Sequence, residues 1–191
     1  TVNLKITNTD ASTLNVAEQI FVKSAPVWSS DYDYAMHDVV FYHENQKYYY
    51  SCRDDNNANR PAVEKEGSIV SINRNMWTRE FSWKPSVSFN VNHKPKVKSY
   101  ETKDGTYVQY RPEHQQNINP LEFDIKFENR NDQEAYAILH FLETHLGYLS
   151  FLFVPPAPYN RKRRFYCEEW THTYVFKNNH TVSANFKQFP L

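Results

Sequence analysis

The stretch LEFDIKFE, residues 121–128, alternates apolar and charged residues without a break. Successive side chains of an extended strand point to opposite faces. Leu121, Phe123, Ile125 and Phe127 therefore share one face, and Glu122, Asp124, Lys126 and Glu128 share the other. A strand divided in this way is stable only where its apolar face is covered, and the next residues supply a cover. Asn131 offers an N-cap, and Glu134 stands three residues on, at capping-box spacing. Ala135, Ile138, Leu139, Leu142 and Leu146 follow at helical intervals. Gly147 is expected to stop this helix as its C′ residue. At ~1.5 Å per residue the helix is then about 24 Å long.

More strands flank this pair. VSFNV repeats the alternation with Val87, Phe89 and Val91. Asp104-Gly105 signals a turn into TYVQY. YVFKNNHTVSANF reads as a hairpin around Asn178-Asn179, with Val182, Ala184 and Phe186 on one face. Residues 80–191 are accordingly expected to form an α+β domain, an antiparallel β-sandwich or split-barrel-like body with one amphipathic helix. Residues 24–79 have a different grammar. They are dense in Trp and Tyr, with two short strands, Val39–Tyr42 and Lys47–Cys52, joined at HENQ. This reads as a small all-β module closed by Trp77 and held by aromatic stacking. Residues 1–23 read as an arm or linker.

Aromatic residues make up 16% of the 191, and there are only 3 glycines, which favours strands over disorder. Lys+Arg and Asp+Glu balance at 22 each, so the chain lacks the basic excess of a dedicated nucleic-acid binder. No apolar run is long enough for a membrane span, and no insertion into a membrane is expected. The opening TVNLKITNTD is polar, so no secretory leader is expected. Cys52 and Cys167 are too few for a disulfide framework or a zinc site and are expected to be buried thiols.

Catalytic motifs are missing. His140 and His145 bracket Glu143, but their i, i+5 spacing turns the two rings about 140° apart on a helix, where zinc ligation needs one face. They are expected to be exposed or interfacial. Acids are plentiful at Asp31, Asp33, Asp38, Asp54 and Asp55, but nothing in the sequence sets two of them across a pocket. No catalytic residue, metal or cofactor is expected, and the chain is not expected to be an enzyme. The run Arg161, Lys162, Arg163, Arg164 admits three readings: a processing site, a nucleic-acid patch, or a solvated or intersubunit loop. The first needs a secretory route, and the second needs other clustered cations. Asn179-His180-Thr181 matches a glycosylation sequon, which without that route is a chance match.

The order of these pieces is more specific than any one of them. Trp83 and Pro85, Asp104-Gly105, a helix ending at Gly147, Phe151 and Phe153, Pro155-Pro156, Cys167 with Trp170, and Phe186 with Gln188 follow one another over residues 80–190. The sequence there resembles the minor tail protein M family of lambda-like long-tailed phages, although its basic run is heavier than that pattern carries. The resemblance implies a structural virion protein at the tail tip, made in the host cytoplasm. It implies a ring, six-fold by analogy, at the distal end of the tail tube, joining tube to tip complex. The implied partners are other copies of itself, the tail tube protein, tip or hub proteins and the tape measure protein, with DNA passing transiently. Arg161–Arg164 would then face a neighbouring subunit or the lumen.

Trp28, Tyr34, the segment His37–Tyr42, KYYYSC, Asn59–Pro61 and Trp77 resemble a small chitin-binding type carbohydrate-binding module, with His37 where that pattern has Gly. This resemblance implies an alternative role, a tail adhesin gripping surface polysaccharide through Trp28, Tyr34, Tyr42, Tyr48 and Trp77. The competing expectation is that Trp28, Tyr34, Tyr48 and Trp77 form the module's core.

Overall fold

A computed structural model of the chain describes residues 25–65, 68–86, 88–95, 98–110 and 120–189. The expected arm over 1–23 lies outside the described residues. In the N-terminal segment, β1 (Asp33–Tyr34) pairs with β4 (Asn56–Asn57). The strands β2 (Val39–Tyr42), β3 (Lys47–Ser51) and β7 (Trp77–Thr78) form a three-stranded sheet. The β2–β3 hairpin turns through HENQ as expected, with Gln46 at φ 55°. Before β7 the chain makes a two-stranded excursion, β5 (Ala62–Lys65) and β6 (Ser68–Ile72).

The main sheet is built from β8 (Asn90–His93), β11 (Leu121–Arg130), β12 (Phe151–Phe153), β13 (Arg163–Phe176) and β14 (Asn179–Gln188). It is antiparallel throughout, in the order β12-β13-β14-β11-β8. Among the described residues the strands β9 (Lys98–Glu101) and β10 (Tyr107–Tyr110) pair only with each other, around a turn where Gly105 takes φ +83°. The DG turn is thus present, but its hairpin stands apart from the main sheet. The protein is mostly antiparallel β-sheet with one helix among the described residues, α1 (Asp132–Thr144).

The alternation of β11 is realised in full. Leu121, Phe123, Ile125 and Phe127 are buried, and their charged neighbours line the opposite face. Phe165, Cys167, Val182, Ala184 and Phe186 from β13 and β14 extend the same apolar face. No second large sheet covers it among the described residues, as a sandwich would require. Instead α1 packs there through Ala137, Ile138, Phe141 and Leu142. The helix starts where the cap predicts, with Asn131 Oδ1 accepting from the Glu134 amide at 2.8 Å. The capping box is only half made, because Glu134 turns its carboxylate to Arg130 Nη1, also at 2.8 Å. The helix ends earlier than expected. His145 is the C-cap and Leu146, at φ 54°, takes the left-handed position assigned to Gly147. Gly147 follows, itself at φ +78°.

Phe81 sits at the middle of this core. Its ring lies 5.0 to 5.7 Å from those of Trp83, Phe127, Phe141, Phe151, Phe153 and Phe186. Alternation along β2 and β3 sends side chains to two cores. Val39 and Tyr50 join the one around Phe81, while Val40, Tyr42 and Tyr49 join Tyr34, Ala62 and Trp77 in a second. His140, on α1, is fully buried, with its Nδ1 3.0 Å from the Tyr50 hydroxyl. The expectation of an exposed or interfacial histidine fails here, because the ring is packed inside the molecule between helix and β3. Cys167 is buried as expected, and burial pushes its thiol up to about 12. Cys52 is only half-buried.

Truncating Phe81 removes one partner from six rings at once. Phe81→Ala is expected to cost about 3–5 kcal/mol, read as a lower urea midpoint with an unchanged slope.

Candidate assembly site

The long hairpin β13–β14 carries its apolar character past the covered part of the sheet. At its tip Tyr174, Val175 and Phe176 are 62%, 53% and 58% exposed. The turn lies at Lys177-Asn178, one residue before the expected position, with Asn178 at φ 60°. Three apolar residues in a row leave one of them on the wrong face of any half-buried strand, and this break in alternation is the sequence signal of the exposed tip.

Hydrogen bonds hold the hairpin against the start of α1. Asn178 Oδ1 accepts from the Asp132 amide at 3.0 Å. His180 Nε2 lies 2.7 Å from Asp132 Oδ1, and His180 Nδ1 lies 2.9 Å from His172 Nε2. A carboxylate only accepts, so His180 donates from Nε2, and its Nδ1 in the neutral ring must accept from His172. Burial, with His180 beside it, holds the pKa of His172 below the ordinary value.

A second apolar group lies at the other end of α1. Leu146, Tyr148 and Leu149 are 63%, 65% and 43% exposed. Leu146, expected on the buried face of the helix, falls beyond the C-cap and points outward. The turn is held close to β13, since a Cβ on Gly147 would stand 3.6 Å from the Glu168 carbonyl oxygen. Tyr174 is six residue steps along β13 from Glu168, which puts the two apolar groups about 20 Å apart.

The basic run does not act as one loop. Arg161 and Lys162 precede β13, while Arg163 and Arg164 begin it, opposite Phe153 and Leu152. Lys162 Nζ binds Glu80 Oε2 at 2.7 Å, and Arg164 Nη1 donates to Ser150 Oγ at 3.2 Å. Arg161 is exposed.

Nor do the five aromatic candidates share a surface. Trp77, Tyr42 and Tyr34 are 0%, 2% and 4% exposed. Trp28 packs edge-on against Tyr42 at 5.7 Å, Tyr34 against Trp77 at 5.2 Å, and Trp77 Nε1 donates to Asn59 O at 2.7 Å. Tyr48 is elsewhere, with its ring 4.6 Å from that of His140. Tyr34, Tyr42 and Trp77 therefore offer no free ring face for a sugar to stack upon. Among the described residues no three His, Cys, Asp or Glu gather to hold a metal, and no helix is long and apolar enough to cross a membrane.

A family model described as phage minor tail protein matches residues 79–189, from the end of β7 through β14. The chain belongs to the phage minor tail protein family. This minor tail protein is a structural component of a phage tail, found in the virion tail and in contact with other tail components. Among solved structures it is similar to a chain from the tail of an empty GTA particle refined with C6 symmetry. That similarity covers 55% of this chain and 75% of the other, at 8% identity and a TM-score of 0.34. No curated protein matches the sequence.

Burial holds three histidines, His37, His145 and His172, below the ordinary histidine range. Their folded values lie under about 6.5, so below that pH the unfolded chain binds more protons than the folded one. Stability is then fully present above about pH 6.5 and is lost as pH falls through the folded values. The urea midpoint is expected to be flat from about pH 8 to 7 and to fall between about pH 6.5 and 5. His172→Gln should flatten part of that fall.

Proposed function

We propose that this minor tail protein closes into a ring at the distal end of the tail tube and joins the tube to the tip complex. The observation that carries this reading is the pair of separate apolar ends on one subunit. A two-fold dimer needs only one self-complementary patch. A ring needs two different patches that fit each other, so that the contact repeats head to tail. Tyr174, Val175 and Phe176 are one such patch, and Leu146, Tyr148 and Leu149 are the other. The main sheet also ends at two strands, β8 and β12, that pair on one side only among the described residues. Such edges are covered when a neighbour packs on them. Six copies per ring follow by analogy with the family resemblance. In this position the tail tube protein stands on one side and tip or hub proteins on the other. The tape measure protein and, during ejection, DNA occupy the lumen, and Arg161 and Lys162 face that lumen or the next subunit. No chemical step is required of the protein.

Opposed single-end variants test the head-to-tail arrangement. Val175→Asp spoils the tip, and Tyr148→Asp spoils the turn. Both positions are exposed, so each variant is expected to fold normally, remain monomeric and fail to enter tails. Mixed in equal amounts, the two retain one sound contact between them and should form a heterodimer by analytical ultracentrifugation. A mixture that stays monomeric while the wild type assembles would count against complementary ends.

A further inference from the structure

A cleft of about 490 Å³ opens where residues 72–82 meet the end of the α1 turn and the starts of β12 and β13. Arg74, Arg79 and Arg164 line it, together with the hydroxyl-bearing Thr78, Ser82 and Ser150. Only one carboxylate, that of Glu80, stands among them. Glu80 is already engaged, with Lys162 Nζ at 2.7 Å and Arg74 Nη1 at a looser 3.8 Å. Arg79 has no carboxylate partner among the described residues, and its guanidinium lies over the Tyr49 ring at 5.8 Å. Among the described residues the Arg164 guanidinium donates only to the Ser150 hydroxyl, which keeps its own proton free to donate into the cleft. Burial lowers the pKa of His145 on the same wall, with Arg79 adding to the effect. In a chain whose charges cancel overall, one concave site thus collects three guanidiniums against a single occupied acid.

We propose that this cleft binds a phosphate-bearing anion. Planar guanidiniums present paired N–H donors that match phosphate oxygens, and a concave wall excludes enough water to strengthen the match. The flanking hydroxyls of Ser82 and Ser150 supply further donors. One wall comes from the segment before Trp83 and the other from β12 and β13, so a bound anion also ties the N-terminal segment to the main sheet. Two sources carry this chemistry, a nucleic-acid backbone and a small free polyphosphate.

The test uses the full chain with two probes, tripolyphosphate and a single-stranded oligothymidine, titrated calorimetrically at low salt. Binding of tripolyphosphate is expected, weakened about tenfold or more by Arg79→Gln and by Arg164→Gln. Arg161→Gln, which lies outside the cleft, should change it by less than about twofold. Tighter binding of the oligothymidine with the same variant pattern would assign the site to a nucleic-acid backbone. Binding of tripolyphosphate alone would assign it to a small polyphosphate. Absence of binding by either probe overturns the proposal, as does an equal loss in Arg161→Gln, which would mark diffuse surface charge. Thermal midpoints without anion, equal across the variants, ensure that the losses are not unfolding.

Discussion

Aromatic packing around Phe81 joins the sheet, the helix and the N-terminal segment in one core. One side chain, three residues past β7, touches rings from β11, α1, β12 and β14. Aromatic pairs in tilted and edge-on arrangements gain beyond the area they bury, and here six of them converge on one ring. The helix alone could not cover the inner face of the sheet. Thirteen residues give about 20 Å of helix, while β13 is fourteen residues long and extends over twice that distance. Phe81 and Trp83 fill the space that α1 leaves, and with Val39 and Tyr50 they draw the N-terminal segment into the same core.

The same mismatch in length explains the exposed ends. Where the helix starts, β13 and β14 continue outward with Tyr174, Val175 and Phe176 uncovered, held to Asp132 through Asn178 and the two histidines. Where the helix stops, the left-handed turn at Leu146 and Gly147 turns Leu146, Tyr148 and Leu149 outward. The outer face of the sheet is polar by contrast. Asp124 accepts from Asn92 at 2.9 Å and from Asn185 at 2.6 Å, and Lys94 pairs with Glu122 at 2.8 Å. Six of the exposed apolar residues thus gather in two groups, one at the hairpin tip and one in the turn after α1.

What was legible in the sequence was local. The strand at Leu121–Arg130, the Asn131 cap and the Val39–Ser51 hairpin depend on period and turn chemistry within a few residues, and each appears with bounds close to those read. What escaped depends on partners far along the chain. Nothing local says that the hairpin at Lys98–Tyr110 stays apart from the main sheet, or that Tyr50 meets His140 across 90 residues. The aromatic pattern of residues 28–77 fits a binding platform and a packed core equally well, and only burial distinguishes them. The four cations at 161–164 look alike in sequence. Strand pairing sends Arg164 to Ser150 and a salt bridge sends Lys162 to Glu80.

Head-to-tail closure, as proposed, needs the two apolar ends of the subunit to be covered by other copies in the finished tail. Averaged electron images of purified tails, carried to side-chain detail at the distal end, test it most directly. The expected image is a closed ring of this chain in which the Tyr174–Phe176 tip of each copy rests against the Leu146–Leu149 turn of the next. Copies whose tips and turns both face solvent, or tails from which this chain is missing, would contradict it.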